Sequence, residues 1–276
     1  MPELPEVETM CRGVRTVIGG VIDRVVDPGC TYRPIVCTPS LDALQQTLRG
    51  QRITQVWRLG KRVVLEISDW ALIFQPKMTG LVTTEPPPDP EHVRLILKLS
   101  EVDVHTLTFW DRRGLGTVLL LQRDEVIPKL VEGKLGTDAL AIKQIDFAQR
   151  LSSTKRPIKV ALLEQKLVAG IGNLYASEML HAASINPNRS AAELTAIEFR
   201  RLFKHMQRIL YEAIEHEGST LSDGTYRNAL NQAGNYQNMH RVYDRAGEPC
   251  PRCRRQTIVR IVQAQRSTFY CLRCQH

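Results

Sequence analysis

The chain has no apolar run approaching the roughly 18 residues that would cross a bilayer. Its first residues carry carboxylates where a secretory leader would carry basic and then apolar side chains. A membrane-embedded protein is therefore excluded, and an intracellular one is expected, cytoplasmic and at the nucleoid if bacterial. Internal repeats and low-complexity segments are absent as well, so an ordinary globular protein of two domains, with or without a small appendage, fits the 276 residues. A disulfide framework is also missing. Seven cysteines is an odd number, and Cys11, Cys30 and Cys37 lie scattered far upstream of a tight group of four. Lysine is absent from Arg241 to His276, where eight arginines stand against two acids and leave +6 of the chain's net +8. That excess of planar, forked donors favours phosphate over a generic anionic surface.

What is present falls into three textures. Leu4, Val7, Cys11, Val14 and Val17/Ile18 recur at helical spacing behind Pro2 and two acids, which predicts an amphipathic helix over roughly Leu4 to Ile18. From Val21 to Leu121 short β-rich runs follow one another, among them Ile53 to Trp57, Val63 to Ile67, Leu72 to Phe74, Val93 to Leu99 and Leu107 to Trp110. They predict a β-sandwich with Pro86 to Pro90 as an exposed loop, since prolines cannot sit in a central strand. From Asp146 to about Glu217 the pattern is helical, near Ile158 to Val168, Leu174 to Ala183 and Ala191 to His216. A polar stretch from Ser219 to His240 reads as a loop. The expected class is α+β multidomain, divided as 1–130, a β-sandwich domain with an N-terminal helix; 131–240, a helical domain with its loop; and 241–276, a metal-binding hairpin.

The tail carries Cys250-x2-Cys253, seventeen residues, then Cys271-x2-Cys274, inside the spacing of a four-cysteine zinc ribbon. Thr257 to Ile261 and Ser267 to Tyr270 suit the strands of a β-hairpin, and Arg266 lies in that hairpin. Four thiolates leave no open coordination position, so one structural zinc would fold the tail rather than catalyse. A redox dithiol is the alternative chemistry, disfavoured because the two pairs match. A stability or protein-interaction role is the alternative use, against which the arginines count.

The opening Met1-Pro2-Glu3-Leu4-Pro5-Glu6 is the most informative stretch. Methionine is usually removed before proline, which exposes a secondary amine with a pKa near ~8 and hence an appreciable neutral, nucleophilic fraction at pH 7. Attack on a sugar C1′ would displace a base and give an iminium ion. That ion acidifies the neighbouring C2′ hydrogen, so elimination of the 3′ phosphate can follow. Glu3 and Glu6, three residues apart, put both carboxylates on one face beside the amine. The same residues also suit a plain helix N-terminus.

Several stretches together resemble the formamidopyrimidine-DNA glycosylase family over essentially the whole chain. They are Pro2 to Thr9, Leu59-Gly60-Lys61-Arg62, Lys77-Met78-Thr79-Gly80, Gly170 to Glu178, and Gln265-Arg266-Ser267-Thr268-Phe269-Tyr270-Cys271. The resemblance implies a bifunctional glycosylase and abasic-site lyase of base excision repair, acting on oxidised purines in duplex DNA. Pro2 is then the nucleophile, Glu3 the general acid at the deoxyribose, Glu6 a supporting carboxylate and Lys61 a phosphate contact. Gly170 to Asn173 would form the turn of a helix-two-turn-helix element, with Asn173 on phosphate and Arg266 completing the clamp. Met78 and Arg113 would fill the gap left by an extruded nucleotide. Where the family commonly has Asp-Pro-Arg-Arg-Phe-Gly, this chain has Asp111-Arg112-Arg113-Gly114-Leu115-Gly116, so the wedge is a leucine. The 222–240 stretch departs from the expected lesion-capping loop. The partner implied is damaged double-stranded DNA bound by a monomer, with neither a membrane nor an organic cofactor involved. An oxidised-pyrimidine specificity and a catalytically silent DNA-binding protein are the alternatives.

Overall fold

The computed structural model describes residues 2–220 and 234–276. The first helix, α1, runs over Leu4–Gly13 and gives way to a 3-10 turn at Arg15–Val17, so the helical start is shorter than its apolar periodicity suggests. Glu3 caps α1 in a reciprocal arrangement with Glu6, and Pro5 sits in the first turn, where its missing N–H costs nothing. Val7, Met10, Cys11 and Val14 of this segment are buried in the main core. Each such side chain contributes roughly 1.5–3 kcal/mol by leaving water.

Two sheets enclose that core. In chain order the elements are β1 (Val21–Val26), β2 (Val36–Thr38), α2 (Leu41–Leu48), β3 (Ile53–Leu59), β4 (Arg62–Ile67), β5 (Trp70–Gln75), β6 (Gly80–Thr83), β7 (Val93–Ser100), β8 (Thr106–Asp111) and β9 (Thr117–Gln122). One sheet has the order β1-β7-β8-β6 and the other β2-β9-β5-β4-β3. Their inward residues, such as Leu95, Leu97 and Phe109 against Leu65, Leu72 and Phe74, belong to one cluster, as the expected sandwich requires. α1 packs against β3, β4 and β6. The proline-rich 86–90 segment is irregular and only partly exposed.

The remaining elements are α3 (Val126–Leu130), β10 (Thr137–Asp138), α4 (Gln144–Ser152), α5 (Ile158–Leu163), β11 (Val168–Ala169), α6 (Asn173–Ala182), α7 (Ala196–Glu215), β12 (Val259–Gln263) and β13 (Arg266–Tyr270). The last two form the expected hairpin, with Gln263 opposite Arg266. Its two-residue turn has Ala264 at φ +46° and Gln265 at φ +60°, the left-handed backbone that tight hairpins need. No helix among the described residues is long and apolar enough to cross a membrane.

The chain divides into two compact units, Met1–Glu132 with Ile214–Gln237, and Gly133–Ala213 with Asn238–His276. These cut the chain differently from a three-way division at 130 and 240. In the first unit the Ser219 N–H donates to Glu6 of α1 at 2.9 Å. In the second, the buried Glu178 carboxylate of α6 accepts the N–H groups of Arg241, Val242 and Tyr243 at 3.0, 2.9 and 2.8 Å. Burial pushes this carboxyl up, opposed by those three donors. The metal-binding tail thus packs with the helices rather than standing apart.

Candidate active site

In the first unit the chemistry-bearing residues gather at the start of α1. Pro2 is buried there, and Glu3 and Glu6 are each only 3% exposed. Glu6 uses both oxygens on backbone: Oε2 accepts the Glu3 N–H at 2.8 Å and Oε1 accepts the Ser219 N–H at 2.9 Å. Glu6 therefore ties the Glu3 backbone beside Pro2 to the distant Ser219. Ser219 begins the polar 219–240 loop, in whose 222–240 part the lesion-capping loop was expected; residues 221–233 lie outside the described residues.

Lys61 occupies the two-residue turn between β3 and β4, which Gly60 makes possible at φ +58°. That turn is tied back to α1, because Arg58 donates to the Gly60 carbonyl at 3.0 Å and to Glu8 Oε2 at 3.0 Å. Burial works against the charge on Glu8, yet the Arg12 and Arg58 guanidiniums hold its carboxyl below the usual range. Met78 lies half-buried in the turn entering β6. Arg113 is exposed and Leu115 half-buried in the turn leaving β8. Thr79 and Asp111 link these two turns, since the Thr79 hydroxyl donates to the Asp111 carboxylate and accepts the Arg113 N–H at 3.1 Å.

In the second unit Gly170, at φ +100°, turns the chain into α6, whose first residue is Asn173. Gln165 braces this turn, accepting the Gly170 N–H at 3.0 Å and donating to the Ile171 carbonyl at 2.9 Å. Lys159 of α5, 1% exposed, donates to Asn173 Oδ1 at 2.8 Å, to the Ser267 carbonyl at 2.9 Å and to Thr268 Oγ1 at 2.7 Å. Asn173 Nδ2 in turn donates to the Ser267 carbonyl at 2.9 Å. Two of the expected phosphate contacts, Asn173 and the exposed Arg266, thereby stand on one hydrogen-bonded frame.

The four tail cysteines place their sulfurs within 4.8 Å of one another. Cys250 to Cys274 and Cys253 to Cys271 are both 3.8 Å. A tetrahedron with metal–sulfur bonds of ~2.3 Å has edges of about 3.8 Å, which both of these pairs match, so the donor set suits zinc. Val242, Ile258 and Phe269 seal the site, and the His181 Nε2 lies 3.6 Å from Cys250 Sγ.

Three domain families match this chain in succession. The formamidopyrimidine-DNA glycosylase N-terminal domain covers residues 1–118, the formamidopyrimidine-DNA glycosylase H2TH domain 135–225, and the zinc finger found in FPG and IleRS 247–276. The formamidopyrimidine-DNA glycosylase of Chloroflexus aurantiacus is 38% identical over 283 residues, covering 100% of this chain and 98% of that protein. This chain belongs to the formamidopyrimidine-DNA glycosylase family. Among solved structures, the MutM (Fpg) protein of Thermus thermophilus is similar with a TM-score of 0.85 and 36% identity, over 99% of this chain and 98% of that one. The Lactococcus lactis Fpg mutant in complex with Fapy-dG containing DNA is similar with a TM-score of 0.87 and 32% identity, over 100% of both chains.

As a family member the chain carries one structural zinc on Cys250, Cys253, Cys271 and Cys274, the four ligands expected from their spacing. Sequence reasoning missed the roles of four buried charges, Lys159, Glu178, Arg94 and Asp111, and of the half-buried Glu8–Arg58 pair. Glu8, Asp111 and Glu178 lie inside motifs already singled out and Arg58 beside one, whereas Lys159 and Arg94 are 11 or more residues from any and carried no signal.

Proposed function

We propose that this protein is a bifunctional DNA glycosylase and abasic-site lyase of base excision repair, which removes 8-oxoguanine and formamidopyrimidines from duplex DNA inside the cell, at the nucleoid of a bacterium. Membership of the family supports the reaction class. The observation that carries the residue assignment is the buried Pro2-Glu3-Glu6 group at the start of α1.

With Met1 removed, the Pro2 nitrogen attacks C1′ of the extruded nucleotide and the damaged base departs. Glu3 delivers a proton to the sugar ring oxygen, which opens the ring as the iminium forms. Loss of the C2′ proton expels the 3′ phosphate, and a second elimination expels the 5′ phosphate. Glu6 is the supporting carboxylate, since both of its oxygens accept backbone N–H groups and hold the nucleophile's surroundings. Lys61, Asn173 and Arg266 contact phosphates and position the duplex without reading its sequence. Met78, Arg113 and Leu115 fill the vacated stack. The zinc hairpin presents Arg266, and in functional terms the chain works as modules 1–130, 131–240 and 241–276.

Borohydride trapping tests this reading on duplexes carrying 8-oxoguanine, a ring-opened purine or an oxidised pyrimidine, comparing wild type with Pro2→Gly. A proline-dependent adduct on the purine lesions is expected, with an intact mass lacking Met1. A preference for the oxidised pyrimidine would overturn the specificity. Tight binding with no adduct on any duplex would overturn the catalytic reading in favour of a silent DNA-binding protein.

A further inference from the structure

Asp111 is fully buried at the end of β8, and its carboxylate serves neither the metal site nor the group around Pro2. One oxygen, Oδ1, accepts from the Thr79 hydroxyl and from the Arg113 N–H at 3.2 Å. The other, Oδ2, accepts the Gly116 N–H at 2.6 Å. The turn carrying Arg113 and Leu115 is therefore gripped from inside, and through Thr79 it is joined to the turn carrying Met78.

The outer side of the turn is held by a second buried charge. Arg94 of β7, 4% exposed, donates to the Asp111 carbonyl at 2.8 Å and to the Arg112 carbonyl at 3.5 Å. The same guanidinium donates to the Arg33 carbonyl at 2.9 Å and to Cys30 Sγ, which anchors the 30–33 segment beneath the turn. The fit leaves no slack. A Cβ on Gly114, which sits at φ +58°, would meet the Arg33 carbonyl oxygen at 2.2 Å, and one on Gly116 would meet the Phe109 ring at 2.6 Å. Carbonyls pinned by Arg94 and N–H groups pinned by Asp111 fix the same few residues from opposite sides, so the exposed tip stands on a rigid base.

We infer that Asp111, with Thr79 and Arg94, is a positioning device that joins Met78, Arg113 and Leu115 into one preformed wedge, and that it governs lesion extrusion and opposite-base discrimination rather than the chemistry at C1′. This rests on the glycosylase reading given above. The device matters more in this chain because a leucine fills space without the stacking of an aromatic ring, so accurate placement must supply what ring stacking does not. A wedge displaced by about 1 Å is expected to lose roughly ten- to a hundredfold in the step that depends on it.

Asp111→Asn replaces one acceptor by an amide N–H, which faces either the Gly116 N–H or the Thr79 and Arg113 donors. A duplex with a preformed abasic site has no damaged base to extrude, so it separates extrusion from strand cleavage. In Asp111→Asn the excision of 8-oxoguanine should fall at least about tenfold more than strand cleavage at the abasic site. Discrimination between cytosine and adenine opposite the lesion should narrow, and the fluorescence rise of 2-aminopurine beside the lesion should shrink. Thr79→Val removes the bridging hydroxyl with little change of shape; it should lower the melting temperature and reproduce the same unequal loss on the two duplexes, whereas Thr79→Ser should restore wild-type behaviour. Equal losses on both duplexes, or no loss in either Asp111→Asn or Thr79→Val, would overturn the inference. A wild-type protein inactive on every lesion would overturn the glycosylase reading, and the inference with it.

Discussion

Lys159 anchors both the hairpin and Asn173, a proposed phosphate contact, and Lys159→Met separates their contributions to stability and DNA binding. The wild-type Nζ donates to three acceptors, matching the three hydrogens of an ammonium, and the side chain is 1% exposed. Hydrogen bonds to a charged group are worth ~1.5–3 kcal/mol each. Methionine forfeits all three but also removes the need to desolvate an ammonium, which costs several kcal/mol. The Ser267 carbonyl keeps a partner in Asn173 Nδ2, so the acceptors left bare are Asn173 Oδ1 and Thr268 Oγ1. The net expectation is a loss of about 1–3 kcal/mol for Lys159→Met. Lys159→Ala, which adds a cavity, should lose about 3–5 kcal/mol. Urea unfolding measures these losses. The second consequence is local: without its anchor the Asn173 amide is free to turn, and loss of its proposed phosphate hydrogen bond should weaken DNA binding by about five- to tenfold at an unchanged salt slope, since an uncharged amide releases no counterion. A Lys159→Met protein within about 0.5 kcal/mol of wild type would refute the energetic reasoning. A destabilised protein with unchanged DNA affinity would refute the positioning of Asn173.

Three other perturbations follow from the geometry. Stripping zinc should unfold Cys250 to Cys274 and abolish amide protection in β12 and β13, because structural zinc supplies on the order of 10 kcal/mol of folding free energy to such modules; full DNA affinity in metal-free protein would show that the hairpin does not grip DNA. Glu178→Gln keeps an acceptor for Val242 and Tyr243 but turns an amide N–H toward the Arg241 N–H, and should cost about 1–3 kcal/mol in urea unfolding, with an unchanged midpoint as the contrary result. Burial, aided by Arg245, pushes the His240 imidazole down to about 4. The unfolded chain binds that proton below roughly 6.5 while the folded chain resists it, so this contribution is whole above pH 6.5 and drains away as pH falls toward 4. His240→Gln should flatten the pH dependence of stability in that window by up to about one proton, and an unaltered slope would sink the assignment.

Much of the fold was legible because local chemistry and tertiary packing agree. Glu3, Pro5 and Glu6 form the helix start that their types suggest, and the strands over Ile53–Leu59, Arg62–Ile67 and Val93–Ser100 extend the predicted runs by a residue or two. The helix Leu41–Leu48 went unread although its signals were present. Ser40 caps it by accepting the Ala43 N–H at 3.4 Å, and Leu44 and Leu48 are its buried face. Its eight residues are too few to outweigh the β-rich texture on either side. The short strands Val36–Thr38 and Gly80–Thr83 were not singled out either, since they exist through their partners β9 and β8. The cysteine ligands were readable from spacing alone, because a single ion imposes it. The buried charges were not, because each owes its meaning to distant partners: Lys159 bonds residues 108 and 109 positions away.

Those unread charges, together with Glu6, brace the backbone beneath the residues proposed to act on DNA. Glu3 is braced by Glu6, the Lys61 turn by Arg58 and Glu8, the Arg113 turn by Asp111, and Asn173 by Lys159. Of the residues proposed to meet DNA, Arg113 and Arg266 are exposed, so packing cannot fix their tips, and Lys61 is half-buried. What can be fixed is the backbone beneath them, and an ionic group is well suited to this because it satisfies several backbone or side-chain partners at once and is strongest where water is excluded. A neutral side chain in the same place would satisfy fewer partners and let the turn adopt several forms, each lowering the population competent to bind. The cost is the desolvation of each buried charge, met only when every partner is present. It follows that the supporting residues should tolerate substitution less well than the proposed contacts they support: Arg266→Ala should remove one proposed phosphate contact, whereas Lys159→Ala disturbs Asn173 and the hairpin residues beside Arg266 together.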